Sequence, residues 1–193
     1  MTLILASSSS IRRAMLDQAG IAYEVRAPDC DEDAVKQGHE GDGEALAIRL
    51  AELKAASIVA GPGDWVIGAD STVSIDDERF SKPRDRDEAA AHLRAFSGRT
   101  MILSSAAALA RGGKIGWSLG DTARLVVRQL SENFIADYLE DEWPAVGHCV
   151  GVFRMEGRGV TLFDRVEGSH FTILGMPLIP LLGALRERGM VAA

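Results

Sequence analysis

Asp70 and Lys82, in the stretch WVIGADSTVSIDDERFSKP, are the residues whose types and placing first invite a chemical reading. An acid held on rigid backbone can take a proton from a water, and a fixed ammonium can neutralise charge on a phosphate. The same pair also makes an ordinary salt bridge. Near the start, LASSSSIRRAML sets Ser7 and Ser9 just ahead of a helical pattern, with Arg12 and Arg13 in its first turn. Cations there oppose the helix dipole, so the pair suits a phosphate-like anion seated between them, or else is simply solvated. Asp31, Glu32 and Asp33 cluster in a polar segment that suits solvent and a hard divalent cation equally, with Glu32 the candidate metal ligand beside Asp70. Lys54 reads either as a surface lysine or as a further phosphate ligand.

These side chains need a frame. Leu3-Ile4-Leu5 reads as a short buried strand, residues 11–19 as a helix ended by Gly20, and residues 22–26 as a second strand. PDCDEDAVKQGHEGDG is rich in Gly and acid and reads as a loop. Residues 44–60, with Leu46, Leu50 and Leu53, read as an amphipathic helix closed by Gly61-Pro62-Gly63. Trp65-Val66-Ile67 is apolar and too close to Gly68 for a helix, so it is expected to be a strand with Asp70 at its end. The chain then continues as 72–75, turns on Asp76-Asp77 and returns toward Lys82, with Pro83 stopping the pairing. A helix is expected over 85–96 with Ala89, Leu93 and Phe96 inward. Strands are expected over 100–110 and 114–119, joined by Gly112-Gly113, and over 122–127. Ser131 caps a helix to about residue 140 with Phe134 and Tyr138 on one face. A Gly-rich loop spans 147–159, a strand 160–166, and Gly175-Met176-Pro177 leads into a last helix.

With 193 residues and 47% hydrophobic content, the chain can bury a real core as one domain or one domain with two lobes. The 28 acidic residues outnumber the 21 basic ones, which argues against a nucleic-acid polymer as partner but leaves a local basic pocket open to a single nucleotide. Cys30 and Cys149 lie in no CxxC or Cys/His cluster, so reduced thiols are expected, rather than a disulfide framework or zinc. No basic leader and no run of about 18 apolar residues is present, so no membrane partner and a cytoplasmic location are expected. GxGxxG, GxxxxGK[ST], GxSxG, HExxH and a Nudix REUxEE helix are all absent, and the four histidines are scattered, more as surface or loop residues than as bases. What remains is Ser, Arg, Lys and carboxylates at strand ends and adjoining loops, the usual place for a ligand cleft in an α/β sheet.

Taken in order, LASSSSIRRAML (5–16), LAELKA around Lys54, GADSTV (68–73), SKP (81–83), LRAFSG (93–98) and GMPL (175–178) resemble the Maf family of nucleoside triphosphate pyrophosphatases over nearly the whole chain. The resemblance implies an α/β fold similar to the inosine-triphosphate pyrophosphatases: a mixed, elongated, twisted sheet with flanking helices and two lobes around a central cleft. It implies one domain over residues 1–193, commonly a homodimer. Position by position, it implies Asp70 as proton acceptor and Glu32 with Asp70 at a divalent cation, Mg2+ or Mn2+. Ser7, Ser9, Arg13, Lys54 and Lys82 match the groups that line the triphosphate.

HCVGVFRMEGRGVTLFDRVEG resembles the branch associated with 7-methyl-GTP, rather than the dTTP and UTP branch, which carries Gln near position 156. Glu156 can accept both the N1–H and the exocyclic amine of guanine, or can be a solvated loop acid. Three positions depart from the branch: Ser10 replaces Pro, Ile11 stands where an aromatic residue is usual, and Ser71 replaces a longer polar side chain. Ile11, Ser71 and Glu156 are therefore the positions expected to set base specificity. Ile11 cannot stack on a cationic guanine, so Phe153, Trp65 or Trp143 must, or the base preference has shifted. The alternatives to 7-methyl-GTP hydrolysis are a dTTP/UTP pyrophosphatase of the same family and a nucleotide-binding regulator of septum formation without turnover.

Overall fold

The computed structural model describes residues 1–76 and 78–192; Asp77, half of the expected turn, lies outside them. In chain order the regular elements are β1 (Leu3–Ala6), α1 (Ser10–Gln18), β2 (Glu24–Val25), α2 (Glu32–Gln37), α3 (Gly43–Ser57), β3 (Trp65–Ile75), β4 (Glu78–Phe80), α4 (Arg86–Phe96), β5 (Thr100–Arg111), β6 (Lys114–Val127), α5 (Glu132–Glu142), β7 (Phe163–Glu167), α6 (His170–Ile173) and α7 (Leu178–Glu187). Strand order is β2-β1-β3-β5-β6-β7, with β4 on β3. β1 runs parallel to both β2 and β3, whereas β4 and β7 pair antiparallel, so the fold is α/β on a mixed sheet. Contacts divide the chain into two units: residues 1–71, 104–121 and 169–193, and residues 72–103 with 122–168.

In the first unit, side-chain alternation along the strands sorts two apolar layers. Leu3, Leu5, Ile67, Ala69, Ala107 and Leu109 pack with Met15 and Leu16 of α1 and with Leu181 and Leu185 of α7. On the other face Ala106, Ala108 and Ala110 meet Ala47, Ala51 and Ala55 of α3. A strand buried on both faces reads as a continuous apolar run, as LILA does. The small-residue contact lets α3 lie close on the sheet, and Gly68 marks the closest point. A Cβ there would fall 2.0 Å from the Ala51 carbonyl oxygen and 2.5 Å from the Ala55 nitrogen.

That close approach corrects the expected end of the strand. Gly68 does not stop it: β3 runs unbroken from Trp65 to Ile75, so Asp70 stands within the strand and not at its tip. Likewise β6 passes through Gly120 and Asp121 without a turn, because Gly120 makes room for Glu44 of α3, whose Cγ a Cβ would meet at 2.6 Å. The polar segment after Pro28 is not all loop. Asp31 accepts from the Ala34 N–H, Glu32 and Asp33 fill the first turn and Lys36 the last, which suffices for α2. α3 ends at Ser57, ahead of the Gly61-Pro62-Gly63 stop. The second strand shrinks to Glu24–Val25, α6 was not anticipated, and residues 158–162 form a 3-10 turn before β7. Gly112 and Gly113, at φ 56° and 73°, supply the expected tight turn.

In the second unit, β4 pairs with the end of β3 in the register Val73 with Phe80 and Ile75 with Glu78. Asp85 caps α4, and Ala89, Leu93 and Phe96 are buried as expected. Phe80 stands edge-on to Phe96 at 4.8 Å and to His92 at 5.1 Å. Burial lowers the pKa of the His92 imidazole, with Glu88 and Glu78 pulling the other way, and its Nδ1 has no hydrogen-bond partner among the described residues.

Two outcomes follow. Gly68→Ala forces α3 off the sheet and is expected to destabilise by about 2 kcal/mol or more, read as a drop of several degrees in the unfolding midpoint; an unchanged midpoint refutes the close approach. Because the folded His92 binds its proton less readily than the unfolded chain, the unfolded state gains protons first as pH falls below about 6.5. The stability that His92 contributes is thus present above that pH and lost on acidification through the folded-state pKa. Urea unfolding of His92→Phe is expected to lose less stability than the wild-type protein between pH 7.5 and 5.5.

Candidate active site

Lys54 lies on the stripe of α3 that Ala47, Leu50, Ala51 and Ala55 bury against the sheet, and only 8% of its surface is exposed. Two residues beyond Gly68 on the same face of β3 stands Asp70. The two meet, Lys54 Nζ to Asp70 Oδ1, at 2.5 Å. Glu32, in the first turn of α2, reaches the same ammonium through Oε1 at 3.1 Å, while Lys36 stands 3.7 Å from its other oxygen. One nearly buried lysine therefore holds two carboxylates from two other elements. Cys30 lies beside them, its thiol pKa raised by burial and by Glu32, with Lys54 and Ser57 opposing.

Arg12 and Arg13, adjacent on α1, diverge. Arg12 turns inward: Nε donates to the Gly175 carbonyl at 2.9 Å, Nη1 to the Ala69 carbonyl at 2.9 Å and to Ser7 Oγ at 3.3 Å, and Nη2 to Ser71 Oγ at 3.2 Å. Burial lowers its pKa while Asp70 and Glu32 raise it, so the guanidinium stays in the electrostatic reach of both acids. Arg13 is exposed and lines a surface depression of 610 Å³ with Ser10, Asp17 and Tyr23. Ser7 is buried and its Oγ also accepts from the Ser9 N–H at 3.3 Å. Ser9 precedes α1 as its cap residue without a side-chain cap bond, and Ile11 is half-buried in the first turn.

Thus the first unit brings together Ser7, Ser9, Arg12, Glu32, Lys54, Asp70 and Ser71. Lys82 and Glu156 belong to the second unit, both exposed. Glu156 sits midway along a turn anchored on each side by buried Glu142: Arg154 Nε donates to Glu142 Oε2 at 2.9 Å and the Arg158 N–H to Oε1 at 3.2 Å. Phe153 is buried edge-on to Phe163 at 5.0 Å, and in the first unit the ring of Trp65 lies under Arg188 at 5.2 Å. Trp143 packs against Gly147.

Sequence reasoning left Lys54 between two readings, although its spacing from Ala47, Leu50 and Ala51 already put it on the buried stripe. Glu142 was missed altogether. Ser105 was missed too, although a pair of serines interrupting the apolar run MILSSAAALA was a signal in plain view.

The chain matches the profile described as Maf-like protein over residues 2–188. The chain belongs to the Maf family. Among its Maf relatives, a protein of Rhizobium meliloti named 7-methyl-GTP pyrophosphatase is 45% identical over 99% of this chain and 98% of its own length. One of Sphingopyxis alaskensis named nucleoside triphosphate pyrophosphatase is 47% identical over 98% of each. A solved dITP/XTP pyrophosphatase from Mycobacterium abscessus overlaps 66% of this chain and 73% of that one, with TM-score 0.40 and 16% identity.

For this Maf protein the lysine bridge is directly measurable. Lys54→Met keeps the apolar stem and removes the charge that Glu32 and Asp70 share, and is expected to destabilise by about 2 to 3 kcal/mol. Combining it with Asp70→Asn is expected to recover about 1 kcal/mol of that in a double-mutant cycle by urea unfolding; strict additivity would show the contact to be energetically idle.

Proposed function

We propose that this Maf protein is a nucleoside triphosphate pyrophosphatase that cleaves 7-methyl-GTP between its α and β phosphates, releasing the monophosphate and pyrophosphate. The observation that carries the reading is Lys54 held between Asp70 and Glu32, a buried cation fixing two acids that would otherwise repel. The names of the full-length relatives support the reaction class and the nucleotide.

The residues present define the step. Lys54 meets Oδ1 of Asp70, so Oδ2 is the oxygen available to take a proton from a water. That water's oxygen bonds to the α-phosphorus while the bond from phosphorus to the bridging oxygen of the β-phosphate breaks. The leaving pyrophosphate carries away the electron pair, and cations neutralise the charge it gathers. Lys54 supplies one such charge and Arg12 of α1 another, both within the first unit.

The donor chemistry fits a hard divalent cation: two carboxylates meet on one ammonium, and Mg2+ or Mn2+ takes one or two carboxylates and completes its shell with phosphates and water. Glu32 and Asp70 would hold it, and it would add positive charge beside the phosphates. Glu156 would accept the two donors on the edge of guanine. Among the described residues no helix is long and apolar enough to cross a membrane.

Pyrophosphate release with Mg2+ or Mn2+ over 7-methyl-GTP, GTP, dTTP and UTP tests the proposal. The highest kcat/KM is expected for 7-methyl-GTP, and Asp70→Asn is expected to lose about a thousandfold in turnover. Faster cleavage of dTTP or UTP refutes the substrate, and near-normal release by Asp70→Asn refutes the role of the acid.

A further inference from the structure

Resting on the pyrophosphatase reading, we propose that Ser105 is a positioning residue of the reaction and that Ser71 acts with it on Arg12 rather than on the nucleobase. Alternation along β3 separates two neighbours. Asp70 shares the face of Gly68, toward α3, whereas Ser71 follows Ile67 and Ala69 on the face packed by α1 and α7. On that face Ser71 Oγ accepts from Arg12 Nη2 at 3.2 Å and lies 2.8 Å from Ser105 Oγ.

The directions of these bonds are fixed by what each group is able to give. A guanidinium only donates, so Ser71 accepts from Arg12. Ser105 sends its proton to the Thr172 carbonyl at 2.7 Å, so Ser71 is the donor between the two serines, its proton shared between Ser105 Oγ at 2.8 Å and the more distant Gly175 carbonyl at 3.4 Å. The Thr172 hydroxyl in turn donates to the Asp121 carboxylate. The result is a one-way row from Arg12 through Ser71 and Ser105 to the Thr172 carbonyl. The single proton of Ser71 is spent inside the protein, which leaves it no donor for a base. Ser105 has no exposed surface and is followed in β5 by Ala106, Ala107 and Ala108, where a hydroxyl is tolerated only if bonded.

The row has a target. Of the five N–H groups of Arg12, four are engaged by Gly175, Ala69, Ser7 and Ser71, and the fifth is the second proton of Nη2. By holding one Nη2 proton, Ser71 sets the direction of the other, the one left for a phosphate oxygen. Arg12 also grips the carbonyl of Ala69, the peptide that carries Asp70. Misaiming this donor weakens contacts to charge that develops during the reaction more than contacts to the resting substrate, so the effect belongs in kcat.

Steady-state pyrophosphate release from Ser105→Ala, Ser105→Cys and Ser71→Ala, each with 7-methyl-GTP and with UTP, tests this. Both alanine variants are expected to lose about tenfold in kcat on both nucleotides with KM within about twofold, leaving the ratio of the two kcat/KM values within about twofold. Ser105→Cys, which keeps a weak donor, is expected to recover part of the loss. A roughly tenfold change of that ratio in Ser71→Ala would make Ser71 a base reader and overturn the proposal. Full kcat in Ser105→Ala, with or without a lower unfolding midpoint, would reduce Ser105 to packing and overturn it too. Asp70→Asn measured alongside separates the failures. Inactive Asp70→Asn with fully active Ser105→Ala sinks the relay alone; no pyrophosphate release by the wild-type protein on any of the nucleotides sinks the pyrophosphatase reading and the relay with it.

Discussion

The site depends on how near α3 comes to the sheet. The helix backbone lies almost on the strand, since alanines face alanines and Gly68 gives up its side chain altogether, and from that position Lys54 meets the strand acid at 2.5 Å. Packing of this kind is the protein's ordinary apolar energetics, dense and intolerant of an added methyl. Its by-product is chemical: the same stripe of α3 that buries Ala47, Ala51 and Ala55 holds Lys54 where solvent is scarce and carboxylates are near, so its charge is little screened.

β3 then works as a divider. Successive residues address opposite layers, so Asp70 and Ser71 differ by one position in sequence and by the whole thickness of the sheet in company. Asp70 keeps company with Lys54 and Glu32; Ser71 with Arg12, Ser105 and Gly175. The two layers communicate through backbone, since Arg12 of one holds the carbonyl just before the acid of the other. A one-residue slip of β3 would exchange the two sets, and the parallel register with β1, from Leu3 opposite Trp65 to Ala6 opposite Gly68, guards against it.

What could be read from sequence followed from periodicity and caps. The strand LILA, the helices capped by Asp85 and Ser131 and the Gly112-Gly113 turn were legible because each is decided within a few residues. Gly68 and Gly120 misled for a common reason: a glycine that breaks a strand and a glycine that admits a neighbouring helix look alike until the neighbour is seen. α2 was hidden by its composition, although Asp31, two acids and a following lysine spell a capped helix. The resemblance picked out Glu32, Lys54 and Asp70, and their contact is long-range, set by α3 packing on β3. Ser71 was legible as a departure in type and Ser105 as a serine inside an apolar run, but their pairing was not, because nothing local joins two serines that lie 34 residues apart.

The two acids that share Lys54 are anchored very differently. Asp70 belongs to a strand flanked by β1 and β5 and cannot shift without tearing the sheet. Glu32 belongs to a helix of six residues that buries none of them. Lifting α2 away uncovers almost no apolar surface, so that excursion lies at the shallow end of the molecule's opening free energies, far below global unfolding. The site therefore pairs a carboxylate fixed by the sheet with one carried on a short helix whose own residues are all at least partly exposed.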